Sequence, residues 1–384
     1  MRRVAILRNQ VLPISETFIR DQANALREWH PILVGYQDMK GGLPTGRLQR
    51  EIVRDTRSRL VKGLQLLCAV PNRALVSRLE ELRVDLVHAH FGIDATDAWP
   101  SVRALGLPML VTLHGYDINI RREWWEAGRG GAHRRLYPRR LLQMSRDPAV
   151  RFVAVSHALA RRAVEVGIPE DRISVAHIGI DTERFTPGGR PLEQRRPRIL
   201  FVGRMVEKKA PLLLVQAFHE LRRELPDAEL VMIGEGPLLG EAKQLAASLD
   251  VPVTFTGALG SDQVLAHLHE ARVFCLPSLT AANGDAEGFG LVILEAQACG
   301  VPVVTSAMGG AQEGLLDGQT GRACREGAVA DFVAGLRHFL SDDAAARRAS
   351  AAAVAFARRS FDIRGGSQQL ERIYDTFSMA TVHS

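Results

Sequence analysis

Two carboxylates, Glu287 and Glu295, bracket the sequence Gly288-Phe289-Gly290-Leu291-Val292-Ile293-Leu294. Upstream, the apolar run Val273-Phe274-Cys275-Leu276-Pro277 reads as a buried parallel strand that stops at Ser278. A polar loop with Asn283, Gly284 and Asp285 follows, then a helix-like segment from Leu291 to Cys299, ended by Gly300 and Pro302, and a strand from Val301 to Ser306. In a doubly wound sheet such a loop lies where ligands bind, beyond the C-terminal strand ends. Glycines there let the backbone approach an anion, and a helix N-terminus offers N–H groups to a phosphate. If both glutamates were helical they would stand about 12 Å apart along the axis, too far to act as an acid/base pair on one bond. Gripping two parts of one elongated ligand fits that spacing, against the plainer alternative of a loop Glu and a solvated helix Glu. Ile293, Leu294, Ala296 and Ala298 make this helix mostly buried, and a carboxylate placed there needs partners.

Positive charge is available on another loop. The strand Ile199 to Val202 leads into Gly203-Arg204-Met205-Val206-Glu207-Lys208-Lys209-Ala210-Pro211 and a helix from Leu212 to Leu225. Arg chelates phosphate oxygens as a fork and Lys acts as a point charge, so this strand–loop–helix suits a phosphate. The alternative is the surface charge of a turn. The Gly/Lys/Ser pattern of a Walker loop is missing, and no Gly-x-Gly-x-x-Gly follows the first strand. A second glycine loop, Gly234-Glu235-Gly236-Pro237, follows the strand Glu229 to Ile233.

Histidines gather at strand ends in the first half. His88-Ala89-His90 closes the strand from Asp85, and His114 follows the strand Pro108 to Leu113, just before Asp117. Lining a cleft is favoured over metal binding, because no third ligand accompanies His88 and His90. The first strand, Val4 to Leu7, runs into Leu12-Pro13-Ile14-Ser15-Glu16-Thr17 and a helix from Phe18 to Arg27. Ser15 or Thr17 caps that helix, or the loop lines the same cleft.

These elements form two successive β/α arrays, which specify an α/β protein of two doubly wound domains. The chain has 384 residues, enough for two ordinary cores, with 46% hydrophobic and 24% charged residues. The Pro/Gly-rich segment Thr186 to Pro197 is the expected linker, giving domains at 1–188 and 189–362. No apolar run reaches the roughly 20 residues of a membrane helix, and the apolar core at the N-terminus is too short for a signal peptide. Cys68, Cys275, Cys299 and Cys324 read as reduced core thiols, hence a cytoplasmic protein.

Net charge is +6, and pI is near 9.4, which asks for an anionic partner. Residues 43–82 carry helical patterns with Arg47, Arg50, Arg54, Arg57, Arg59 and Lys62 opposite Leu48, Ile52, Val53, Leu60, Val61, Leu64 and Leu67. In 121–146, eight arginines are interleaved with Trp124, Trp125 and Tyr137. Solvated faces are one reading, and docking on an anionic membrane is the sharper one. Nucleic acid is disfavoured because no nucleic-acid-binding motif accompanies the arginines.

The pattern Glu287-Gly288-Phe289-Gly290 with Glu295 and Ala298-Cys299-Gly300-Val301-Pro302 resembles the paired-glutamate signature of retaining glycosyltransferase family 4. Phe201-Val202-Gly203-Arg204, Ile233-Gly234-Glu235-Gly236-Pro237, Val155-Ser156, Gly179-Ile180-Asp181 and Thr112-Leu113-His114-Gly115-Tyr116-Asp117 extend the resemblance over nearly the whole chain. Leu12-Pro13-Ile14-Ser15-Glu16-Thr17-Phe18 and His88-Ala89-His90-Phe91-Gly92 are similar to the branch that builds bacterial exopolysaccharides. The resemblance implies the GT-B architecture, with two Rossmann-like domains facing across a cleft and residues 363–384 returning to the first. It implies transfer of a hexosyl group from a nucleotide-diphosphate sugar to a glycan or polyprenyl-diphosphate-linked acceptor at the inner face of the cytoplasmic membrane, with no metal or other cofactor.

By the same resemblance, His114, Arg204, Lys209 and Glu287 are catalytic. Gly203, Arg204, Lys209, Glu235, Gly236, Glu287, Gly288, Phe289, Gly290, Leu291 and Glu295 hold the donor, with Arg204 and Lys209 on the diphosphate and Glu295 on the ribose. Ser15, Glu16, Thr17, His90 and Asp117 meet the acceptor. Two departures stand out: Ile14-Ser15-Glu16-Thr17 replaces the paired glycines common after the first strand, and Ala210 replaces the glycine that often follows the lysine. A sugar-nucleotide epimerase of the same architecture, a nucleic-acid-binding protein and a catalytically dead scaffold are the rival functions.

Overall fold

A computed structural model describes residues 2–13, 16–38, 42–55, 63, 66–306 and 308–382, the last four by backbone alone. The chain divides into two units, residues 1–179 with 363–384, and residues 180–362.

Among the described residues the first unit is built on seven strands, β1 (Arg2–Val11), β2 (Trp29–Asp38), β3 (Gln49–Ile52), β4 (Leu86–His90), β5 (Met109–Leu113), β6 (Val150–Ala154) and β7 (Ile173–Val175). All are parallel, in the order β3-β2-β1-β4-β5-β6-β7. The runs Val4–Leu7 and Met109–Leu113 are wholly buried, as strands covered on both faces by helices must be. The second unit has six parallel strands, β8 (Arg198–Val202), β9 (Glu229–Ile233), β10 (Val253–Gly257), β11 (Val273–Leu276), β12 (Val303–Ser306) and β13 (Gly321–Cys324), in the order β10-β9-β8-β11-β12-β13. Chain direction across each sheet reverses once, between β1 and β4 and between β8 and β11. Those gaps are the topological switch points, where a crevice opens at the C-terminal strand ends.

The helix at 363–382 returns to the first unit. Leu370, Tyr374 and Phe377 enter the same apolar cluster as Val4, Ile6, Ile19, Trp29 and Leu33. One oxygen of Glu371 accepts the backbone N–H groups of Arg27, Glu28 and Trp29 at 2.8, 2.7 and 3.1 Å, holding the turn between the helix at 17–25 and β2.

Three expectations change. The helical pattern over 43–82 is broken by β3, which pairs with β2 from Ile32↔Gln49 to Gly35↔Ile52. Leu48 and Val53, at its two ends, are buried against the sheet, which favours an extended edge over a helix. A helix does form at Arg73–Leu82, capped by Asn72, while Arg57, Arg59, Leu60, Val61, Lys62 and Leu64 lie outside the described residues. The division between units falls at 179/180 rather than 188/189. The expected linker is part of the second unit because it packs there: Leu192 is buried, and Arg195 donates to the carbonyls of Leu268 and Ala271 at 3.3 and 2.8 Å. Of the four thiols expected in the core, Cys68 is exposed and the other three are buried.

Candidate functional site

In the second unit the site is built at the switch point. β8 ends at Val202 and releases Gly203 and Arg204, and a single 3₁₀ turn, Glu207–Lys209, then presents two adjacent lysines. β11 ends at Leu276 and releases the long loop to Gly290, after which the helix Leu291–Ala298 begins. Gly290 stands in the left-handed region (φ 79°), which allows the sharp entry into that helix. Glu287 precedes the helix, so the 12 Å axial separation from Glu295 that a shared helix would impose does not apply.

The two loops meet through paired charges. Lys209 Nζ contacts the Glu287 carboxylate, and Lys208 Nζ donates to Asp285 Oδ1 at 3.0 Å, with all four side chains nearly enclosed. Burial pushes the Glu287 carboxyl up, but Lys209, Lys208 and Arg204 outweigh it and leave its pKa below the usual carboxylate value. Glu287 is therefore a fixed anion surrounded by three cations. Arg204 is exposed at the loop surface.

A third loop braces the first. Met205 N–H donates to Glu235 C=O at 2.8 Å and Leu238 N–H to Met205 C=O at 2.9 Å. At Gly236 (φ 152°) an added Cβ would lie 2.5 Å from the Met205 carbonyl oxygen, so only glycine permits this approach. Glu235 and Gly236 are exposed, and Glu295 is partly exposed on its helix. Gly288, Phe289 and Gly290 are buried, and the Phe289 ring packs on Phe361 at 5.4 Å, so residue 289 anchors the loop and has only its backbone to offer a ligand. Leu291 is the first residue of the helix.

In the first unit the corresponding strand ends carry a histidine–arginine cluster. His90 Nδ1 lies 3.0 Å from His114 Nε2, and the two rings stack at 5.2 Å. Burial lowers the pKa of both, and neighbouring Arg8 and His88 lower it further, so both are neutral. His88 spends both ring nitrogens, on Tyr374 Oη and on Thr112 Oγ1, each at 2.7 Å, which leaves neither for a metal.

The acceptor residues expected from the resemblance separate. Asp117 is 1% exposed, and its oxygens accept the backbone N–H groups of Gly92, His114 and Gly115 at 2.8, 3.1 and 3.0 Å. It orders the turn that carries His114. Glu16 is buried and grips Arg8 as a fork, at 2.9 and 2.5 Å. Thr17 opens the helix at 17–25, and Ser15 lies outside the described residues.

Sequence reading missed Arg8. Its guanidinium also contacts Asp94, donates to the His90 carbonyl at 3.3 Å and lies 4.5 Å over the Phe91 ring. The available signal was a charge directly after the apolar run Val4–Leu7. In the basic segment 121–146, Trp125 is 1% exposed and packs edge-on against Tyr137 at 5.0 Å, so these two aromatic residues belong to the core, while Trp124 is half-buried. Arg135, Arg139 and Arg146 are exposed.

The family model for Glycosyltransferase Family 4 matches residues 15–184, and that for Glycosyl transferases group 1 matches residues 185–355. A GDP-mannose-dependent alpha-(1-6)-phosphatidylinositol monomannoside mannosyltransferase of Mycolicibacterium smegmatis is 39% identical over 188 residues, 46% of this chain and 48% of that protein. The chain thus matches about half the length of that relative. A glycogen synthase of Mycobacterium tuberculosis is 32% identical over 304 residues, 76% of this chain and 69% of the synthase. Among solved structures, Anabaena HepE in complex with UDP superposes with a TM-score of 0.80 at 18% identity, over 98% of this chain and 100% of HepE, a likeness of fold. Motifs, sheet orders and matches over both units agree: the chain belongs to glycosyltransferase family 4 and has the two Rossmann-like units of the GT-B architecture.

Proposed function

We propose that the protein transfers a hexosyl group, with retention, from a nucleotide-diphosphate sugar to a glycan or polyprenyl-diphosphate-linked acceptor in exopolysaccharide, capsule or lipopolysaccharide assembly. The observation that carries this reading is the gathering of Arg204, Lys208 and Lys209 around Glu287 at the β8/β11 switch point. Breaking the bond between the anomeric carbon and the leaving phosphate puts negative charge on the diphosphate and positive character on the sugar. Arg204, Lys209 and the N-terminus of the helix at 291–298 meet the first charge, in place of a metal, and Glu287 faces the second. The acceptor oxygen attacks on the face the phosphate leaves, and its proton passes to the departing phosphate oxygen, so no separate base is needed.

A lipid-linked acceptor is supported by the name of the mycobacterial relative, which is a phosphatidylinositol mannoside mannosyltransferase. Membrane docking is supported by Leu67 and Val70, which are 45% and 51% exposed, with the Leu67 carbonyl held by Arg140 at 2.7 Å. Apolar side chains beside exposed arginines suit an anionic lipid surface. Among the described residues no helix is long and apolar enough to cross a membrane. Thermal-shift titration with UDP-, GDP-, ADP- and dTDP-sugars tests the donor reading, since a donor well above its Kd raises the unfolding temperature. A panel without any shift, repeated with the free nucleoside diphosphates, refutes it.

A further inference from the structure

We infer that Lys208 and Asp285 are positioning residues of the donor site: they fasten the loop after β11 to the turn at 207–209 and so hold Lys209 and Glu287 in place. The inference rests on the donor reading above and adds to it a positioning role for Lys208 and Asp285.

Besides the Lys209–Glu287 pair itself, three links join the two segments. Leu279 N–H donates to Lys208 C=O at 2.9 Å, Ala282 N–H to Glu207 Oε1 at 2.8 Å, and Lys208 Nζ to Asp285 Oδ1 at 3.0 Å. The first two fix the start of the loop, and the ion pair fixes its end. A tight turn spans the interval: Gly284 N–H donates to Ala281 C=O, and Ala281 N–H to Asp285 C=O, both at 2.8 Å. Beyond Asp285 only Ala286 intervenes before Glu287, so the carboxylate that meets the ligand is at most roughly 7 Å of extended chain from the fastening point. On the other side Lys208 is bonded directly to Lys209. Both members of the Lys209–Glu287 pair are therefore restrained from their immediate neighbours.

The Lys208 and Asp285 side chains are 13% and 12% exposed. A pair so enclosed gains little net stability, because desolvation offsets most of the attraction. What it supplies is geometry, and geometry at a charged site governs how well preformed charges meet a ligand.

The sign of one substitution separates this role from simple electrostatics. Asp285→Asn removes a negative charge from a site for an anion. If Asp285 acted only through its charge, a nucleoside diphosphate would bind more tightly. As a positioning residue its loss weakens binding, about tenfold, with Lys208→Met doing the same and the double variant no worse than either single one. Lys208→Arg, which keeps the cation, recovers most of the affinity. Isothermal titration with UDP and GDP reads these values, and amide exchange follows residues 279–287, which exchange faster in Asp285→Asn than in the wild type. Unchanged or tighter binding by Asp285→Asn, or losses that multiply in the double variant, overturns the inference while leaving the donor reading intact. The same titrations are run with ADP and dTDP, and a wild-type protein that binds none of the four nucleoside diphosphates overturns the donor reading and the inference with it.

Discussion

Tyr374 Oη lies 2.7 Å from His88 Nδ1, although 286 residues separate them. The hydroxyl of the final helix is thereby inserted beneath β4, where both side chains are fully buried. His88 then passes the contact to Thr112 on β5, so one chain of hydrogen bonds ties the helix at 363–382 to two strands that end in the histidine cluster. Tyr374→Phe keeps the ring and its 5.2 Å edge contact with Trp29 but orphans a buried imidazole nitrogen. It should cost about 1–2 kcal/mol in urea-induced unfolding, the penalty for one buried polar atom. Glu371→Ala strands three N–H groups and should cost more than Tyr374→Phe. A smaller loss in Glu371→Ala would contradict the account of how this helix is held.

Arg204 and Lys209 are assigned the leaving diphosphate. Arg204→Ala and Lys209→Ala should each lower kcat by about 10²–10³, the usual loss for one electrostatic stabiliser. Lys209→Ala also leaves the enclosed Glu287 carboxylate without its nearest cation, so a modest loss of stability should accompany it. Near wild-type turnover in either variant, with circular dichroism unchanged, would remove that residue from the mechanism.

Ala210 departs from the glycine common at its position, yet the backbone keeps the conformation that glycine favours, φ 45° and ψ 52°. A Cβ in the left-handed region costs about 1 kcal/mol. Glycine at 210 relieves that strain but adds freedom to the unfolded chain, so the two effects partly cancel. Ala210→Gly is expected to stabilise by no more than about 0.5 kcal/mol. Guanidinium unfolding of the pair checks this, and a loss above 1 kcal/mol would show that the methyl group makes packing contacts that matter more.

Asp97 gives a pH-dependent prediction. Burial, and then the Asp94 carboxylate, raise its pKa to about 7, against the pull of Arg134 and Arg140. A raised folded pKa means the protonated side chain is favoured in the fold. The contribution is full below the ordinary value of 3.8 and is lost as pH rises through about 7. Asn cannot titrate, so Asp97→Asn should match the wild type near pH 4 and exceed it at pH 8. The side chain retains some exposure, and about half the full linkage, roughly 2 kcal/mol, is the expected gain. Urea midpoints that stay parallel from pH 4 to pH 8 would refute it.

The membrane surface is tested by sedimentation. Replacing Arg134, Arg135, Arg139 and Arg140 with Ser should reduce binding to vesicles of anionic lipid, and Leu67→Ser with Val70→Ser should reduce it further at high salt, where only the apolar part persists. Vesicle binding that ignores both sets would refute docking through this face.

Much of this was legible in the sequence because the signals are local. The apolar runs at Val4–Leu7 and Val273–Leu276 declare buried parallel strands, and the glycines at 236 and 290 declare positions where backbone must come close or turn. Arg204, Lys209 and Glu287 stand out as charges in the loops that follow β8 and β11. What stayed hidden was pairing across distance. The Gly92 donor to Asp117 and the Arg8 partner of Glu16 come from other segments that no local pattern announces. Trp125 beside arginines looks like an interfacial anchor, and only packing shows it facing Tyr137. The helical pattern over 43–82 failed because β3 takes its conformation from β2, a partner the local pattern does not encode.

The helix at 363–382 also fixes an order of events. Residues 180–362 form a unit continuous in sequence, whereas residues 1–179 lack Leu370, Tyr374 and Phe377 until residues 363–382 have been translated. A ribosome releases the N-terminal strands first, but their apolar face around Ile19 and Trp29 stays incomplete while the second unit is made. The first unit is therefore completed only after the second has been made, and a stalled or truncated chain that stops at 362 exposes that surface to aggregation or to chaperones.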